Sequence, residues 1–277
     1  MARATKLSPG AVQGLLRELR TGSRDERPLV VAGARELVAV LRRELTRGGV
    51  AEAVREQGPL EGAAALVYVL AGRAGEEDER VLREAERARL ATVCVVTGPG
   101  GAKMPDPRFV LATNVVRVPS GSGFPVEEIG RRLAQSLGER ATPLAARLPV
   151  LRRPVCGELI RRVSRQNAFI GAAVFAPGAS MPALTLNEIR LVLRIADAHG
   201  FEIDAARLPE VLGVIGSGLG LRTVARRAIG FVPVAGWIVR GGIAYGGTRA
   251  LGEAALRYFE RRAPVTRVPG GRARFPR

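Results

Sequence analysis

An α/β domain followed by an all-α, Ala/Gly-rich helical domain is the architecture this sequence predicts. Three observations carry it. Through residues 1–140, short apolar runs ending in or near glycine alternate with charged stretches of helical spacing, the pattern of parallel strands joined by helical crossovers. Residues 141–156 are rich in Pro and Arg, as a connector is. Residues 157–262 are dense in Ala and Gly with helical spacing, and residues 263–277 form a basic tail.

The elements of the first domain come in order. Helix-like stretches between Leu15 and Leu45 enclose Pro28 to Gly33 (PLVVAG), which reads as a buried strand, a glycine turn and the start of a helix. Ala63 to Gly72 (AAALVYVLAG) leads into a charged helix from about Glu76 to Leu90. Ala91 to Gly98 (ATVCVVTG) is the third run. The fourth lies near Phe109 to Val118 and precedes a Gly/Ser turn and a helix to about Leu137. Four such strands predict a parallel sheet flanked by helices.

Composition bounds the chemistry. Of 277 residues, 43 are Lys or Arg and 26 are Asp or Glu, a net charge of +17 with one His and two Cys. Catalysis through a His pair or a Cys/His zinc cluster is thereby largely excluded, and no cofactor or metal is expected. Cys94, in an apolar run, and Cys156, beside arginines, read as reduced residues compatible with the cytosol. The opening MARATKLSPG is basic but leads into no long apolar run, so the expectation is no secretory signal and a start on the cytosolic side.

A strongly basic chain has two natural partners, nucleic acid and an anionic membrane surface. Aromatics at 4% leave few stacking platforms, which argues against single-stranded nucleic acid. The arginines also cluster around apolar sequence. Arg140, Arg147, Arg152, Arg153, Arg161, Arg162 and Arg165 face a single acid, Glu158, just before the most apolar stretch. Arg261, Arg262, Arg267, Arg272, Arg274 and Arg277 follow Glu260 with no acid among them.

Four places in the first domain resemble a Ras-like or Era-like GTPase domain. Leu29 to Gly33 and its turn stand where such domains have the phosphate loop, and LVYVLAG (66–72) with Glu76, Glu77 and Asp78 resembles the next strand and its helix. VCVVTGPG (93–100) occupies the place of the guanine-reading Asn-Lys-x-Asp, and VPSGSG (118–123) with Val126-Glu-Glu-Ile resembles the final base-contacting loop and the helix after it. The family's chemistry is missing. Ala34-Arg-Glu-Leu-Val-Ala supplies neither a second glycine nor the Lys-Ser/Thr that ligate phosphate and Mg²⁺, and Thr97-Gly-Pro-Gly supplies no Asp. The resemblance implies a GTPase-like scaffold without its nucleotide sites, while an unrelated small α/β domain would show the same strands and turns. Gly98 to Gly101 reads as a turn, with a phosphate-cradling loop as the alternative, and no residue is carried forward as catalytic.

In the second half, a helix is expected from Gly157 through Ala176. Residues 166–187 (QNAFIGAAVFAPGASMPALTLN) carry no charge over a length near the ~20 residues that cross a bilayer, but Pro177, Gly178 and Pro182 interrupt them. One reading is a pair of short buried helix arms around a turn. The other is a re-entrant hairpin dipping into the membrane, with arginines at the cytosolic interface. Thr185 to His199 reads as an amphipathic helix with Leu186, Ile189, Leu193 and Ala196 on one face, ended by Gly200. His199 suits the helix C-terminus, and Glu188 and Asp197 read as face residues rather than an acid–base pair.

The remaining apolar blocks, Val211 to Leu221 and Ala228 to Val239, are each too short to span a bilayer. In Gly241 to Tyr258, Gly242, Gly246, Ala250 and Ala254 recur every four residues, which predicts a helix face open to close backbone approach. Arg222, Arg226, Arg227, Arg240 and Arg249 interrupt these blocks and favour interfacial helices over plain spans. The order APGASMPAL (176–184), LVLRIADAHG (191–200), LGVIGSG (212–218), FVPVAG (231–236) and TRALGEAALRYF (248–259) resembles the bacterial domain of unknown function 697. That resemblance implies a domain found beside Era-like GTPase domains and in inner-membrane proteins. It implies no reaction.

The functional expectation is a non-catalytic, membrane-associated scaffold or interaction protein on the cytoplasmic face of the cell membrane. Its partners would be anionic membrane lipid, an unknown protein, and a second copy in a homo-oligomer. Lipid contact is expected at Arg161, Arg162, Arg165, Phe169, Ile170, Val174, Phe175, Trp237 and Arg240, and helix packing at Gly242, Gly246, Ala250 and Ala254. The alternatives are a nucleotide-binding GTPase-class protein with altered loops and a basic nucleic-acid binder.

Overall fold

The computed structural model describes residues 25–98, 105–119, 121–173, 181–201 and 236–262, with Gly14, Arg17, Thr21 and Gly213. The chain forms two compact units whose largest parts are Asp25–Val155 and Cys156–Val265.

The first unit is built on five strands, β1 (Leu29–Gly33), β2 (Val54–Glu56), β3 (Ala65–Ala71), β4 (Ala91–Gly98) and β5 (Val115–Pro119). They lie in the order β2-β1-β3-β4-β5 with every neighbouring pair parallel. Helices cover such a sheet on its faces, so its central strands are apolar on both sides. β3 accordingly buries every residue except Ala71. Helix α1 (Arg35–Leu45) packs Val38, Leu41 and Leu45 inward, α2 (Glu76–Arg87) packs Leu82 and Ala85, and α3 (Val126–Leu137) packs Ile129, Leu133 and Leu137, all at helical spacing. The four expected strands are present. β2 adds an edge strand of three residues, Val54-Arg-Glu, too short and polar to show a period; its pairing of Val54 with Leu29 defines it.

The expected connector, residues 141–156, is instead part of the packed unit through Val155. Helix α4 (Thr142–Arg147) has all six residues buried, a 3-10 turn follows at Pro149–Leu151, and α5 (Arg152–Ala173) begins at once. The prolines that read as breakers are helix starters. Pro143, Pro149 and Pro154 all fall in first turns, where a missing N–H costs no hydrogen bond. The segment is also clasped to the residues that lead into β1 and β2: Arg147 donates to the carbonyl oxygens of Glu26 at 2.8 Å and Arg27 at 2.7 Å, and the Val50 N–H donates to the Arg147 carbonyl at 3.0 Å.

In the second unit, α5 is joined by α6 (Met181–Ala198) and α7 (Gly236–Glu260). α6 begins four residues before the expected Thr185, so that Pro182 lies in its first turn, and Gly200 at φ 82° ends it as expected. His199 follows the last residue of α6 and is buried. Its Nδ1–H donates to the Ile195 carbonyl at 2.8 Å, and its ring stacks on Phe259. No helix among the described residues is long and apolar enough to cross a membrane.

The predicted small-residue stripe does not make the close approach. Gly242, Gly246 and Ala250 are exposed and Ala254 is half-buried; a Cβ on Gly242 or Gly246 would meet nothing within 4 Å. Gly252 does the packing, since a Cβ there would lie 2.6 Å from Ile160 Cγ1, and Gly241 approaches the Ala168 carbonyl. One residue turns a helix by about 100°, so a repeat read one position off faces another way.

Candidate functional site

Ligands of doubly wound sheets enter at the carboxyl ends of the strands where the strand order reverses, here between β1 and β3. There β1 passes into α1 with almost no loop. Gly33 takes φ 112°, and a Cβ on it would lie 2.0 Å from the Val69 carbonyl oxygen on β3. The Ala34 N–H donates to that same oxygen at 2.9 Å, and α1 begins at the next residue. A phosphate cradle needs a run of free amides between strand and helix. One residue stands here, and its amide is already used.

The neighbouring helix start is closed to anions by charge. α2 opens with Glu76, Glu77, Asp78 and Glu79, and Asp78 accepts from the Gly75 N–H and from the Tyr68 hydroxyl, both at 2.8 Å. Tyr68 pairs in register with Cys94. Burial, with Asp78 nearby, holds the Tyr68 phenol above its usual range, and burial pushes the Cys94 thiol up to about 12. A thiol that stays protonated at neutral pH is a poor nucleophile.

The helical unit carries a different arrangement. The inward face of α5 holds Leu159, Ile160, Val163 and Asn167, and the outward face holds Arg162, Arg165, Gln166, Phe169 and Ala173. At the buried centre, Asn167 Nδ2 donates to Thr248 Oγ1 on α7, and Asn187 Nδ2 on α6 donates to Asn167 Oδ1, each at 2.8 Å. The amide of Asn167 is thus engaged at both ends, which offsets the cost of burying it. On the outward face, Arg161 is half-buried and bound to Glu158, Nε to Oε2, at 2.9 Å. Arg162 and Arg165 are exposed, with no acidic partner among the described residues. Phe169, one turn further on, is 76% exposed.

Compared with protein-family models, with curated proteins and with solved structures, the chain matches none. Its function therefore has to be read from its own side chains.

Of the lipid-contact residues expected from sequence, the structure brings Arg162, Arg165 and Phe169 together on one exposed helix face. Ile170 beside them is half-buried, and Arg161 is tied to Glu158. Val174 and Phe175 lie outside the described residues. Trp237 and Arg240 lie on α7, but their side chains are outside the described set. Asn167, Asn187 and Thr248 were not expected as a group. Two asparagines near the ends of an otherwise apolar, charge-free run were the signal that polar partners had to be found inside.

The fold also divides the charge. Residues Asp25–Val155 hold 20 of the 43 Lys and Arg and 17 of the 26 Asp and Glu, so the rest of the chain holds 23 and 9. Fourteen of the seventeen surplus positive charges therefore lie outside that segment.

Proposed function

We propose that this chain is a non-catalytic, membrane-associated scaffold on the cytoplasmic face of the membrane. In this reading the helical unit attaches to anionic lipid, and the α/β unit, a GTPase-like scaffold without nucleotide sites, serves as a surface for another protein. The carrying observation is the division of charge: the α/β unit is close to neutral, while the rest of the chain holds 23 basic residues against 9 acidic ones. Basic residues near an anionic surface contribute about 1 kcal/mol each, so a surplus concentrated in one unit favours attachment through that unit. The motifs resembling the domain of unknown function 697 point the same way. Against the nucleotide-binding alternative stand the one-residue turn at Ala34, too short for a phosphate loop, and the acids at the start of α2.

Fractionation of the expressed full chain tests the reading. Recovery in the membrane pellet, with release by detergent or by high salt, is the expected result. Recovery in the soluble fraction at physiological salt would sink it and leave a soluble interaction module.

A further inference from the structure

Membrane attachment of the helical unit, taken as the starting point, can be narrowed to the uncharged ends of α5 and α6. Asn167 and Asn187 tie α5 to α6, and each stands six residues from its helix end, Ala173 and Met181. Beyond that pair the two helices carry no charge. Of the ten residues there whose side chains are described, 168–173 and 183–186, only Gly171 is buried. Phe169 is the most exposed large apolar side chain among the described residues. Phe169, Ala173 and Ala183 are exposed and the other six are half-buried, and an exposed apolar group of this kind marks a contact surface rather than a face made for water.

The charges next to it indicate what covers it. Arg165 precedes Phe169 by four residues and Ala173 by eight, about 6 and 12 Å along a helix axis. The first lies within the roughly 5–10 Å by which interfacial elements sink below lipid headgroups, and the second just beyond it. Arg162 and Arg165 are exposed without acidic partners among the described residues, complementary to phosphate, whereas Arg161 is held by Glu158. The asparagine amides nearest the apolar end already bond to each other and to Thr248, as entry into hydrocarbon requires.

We propose that the uncharged C-terminal end of α5 and the uncharged start of α6 insert into one leaflet of an anionic bilayer. Phe169 then lies below the headgroups, and Arg162 and Arg165 sit at the level of the lipid phosphates. Neither helix crosses.

The test uses the full chain with Phe169→Trp in a Trp237→Phe background, and vesicles of phosphatidylglycerol and phosphatidylcholine brominated at defined acyl positions. The expected result is a blue-shifted indole at position 169, quenched most by bromines near the headgroup. Arg162→Glu with Arg165→Glu should lower vesicle partition at least 25-fold, from about fivefold for each charge lost at the surface. Phe169→Ala should lower it about tenfold. Circular dichroism melts matching the parent will show that these exposed substitutions leave the fold intact. Vesicle binding with an unquenched indole, or binding unchanged by the arginine pair, overturns the insertion proposal and leaves the membrane reading standing on another face. Failure of the parent chain to sediment with anionic vesicles, or preference for duplex DNA over them, overturns both.

Discussion

Asn167 on α5 donates from Nδ2 to Thr248 Oγ1 on α7 at 2.8 Å, across 81 residues of sequence, with both side chains closed to water. With Asn187 bonded to the other end of the Asn167 amide, three helices share one polar centre in an apolar unit. A buried network of this kind specifies which helix faces meet, because any other alignment leaves an amide unsatisfied.

Thr248→Val keeps the shape and removes the acceptor. It should destabilise the chain by about 2 kcal/mol, the cost of a buried donor left without a partner. Asn167→Leu combined with Thr248→Val should cost less than the two single changes added together. Urea denaturation of the four proteins in that cycle decides it, and strict additivity would count against the network.

Two glycines of α7 should respond in opposite directions to the same substitution. Gly242→Ala adds a methyl in open space on an exposed helix face and should stabilise by about 0.5–1 kcal/mol. Gly252→Ala drives a Cβ to 2.6 Å from Ile160 Cγ1 and should destabilise by about 1–3 kcal/mol. Thermal melts would contradict this packing if both variants moved the same way.

Arg147 is the clasp of the α/β unit, buried and donating to the Glu26, Arg27 and Pro143 carbonyls. Arg147→Met strands those oxygens and should cost about 3 kcal/mol. Arg147→Lys keeps the charge but not the planar fork, and should recover only part of that loss. Equal stability of the Arg and Met proteins in guanidinium titrations would remove the clasp.

Stability should fall on the alkaline side. Burial raises the Cys94 thiol from 9.0 to about 12, and the Tyr68 phenol is raised as well. A raised folded-state value means full stability below pH 9, lost as pH climbs toward 12, because the unfolded thiol ionises first. Between those limits Cys94 should contribute a decline approaching about 1.4 kcal/mol per pH unit. Cys94→Ala should therefore flatten the pH dependence of the urea midpoint above pH 9. An unchanged slope would mean that the thiol ionises as readily folded as unfolded.

Local pattern carried much of the fold. The runs around Leu29, Val67 and Cys94 were legible as strands because central strands of a parallel sheet are apolar on both faces. β2 was not, since Val54-Arg-Glu has no pattern of its own and becomes a strand by pairing with Leu29–Val31. The prolines at 143, 149 and 154 were visible but ambiguous: the same residue ends one helix and begins the next, and the register of the following turn decides which. Arg162, Arg165 and Phe169 could be placed on one helix face from spacing alone. That Arg161 faces Glu158 instead required the side-chain geometry.

Residue identity and near-neighbour spacing were enough for the order of four strands and their helices and for the basic balance, because neither needs a distant partner. Long-range packing had to choose Gly252 rather than Gly246 as the contact with α5, assign residues 141–155 to the sheet's own unit, and close two asparagines and a threonine on one another. Those outcomes depend on contacts between segments far apart in the chain. A helix offers several faces of nearly equal apolarity, and only the partner that arrives selects one.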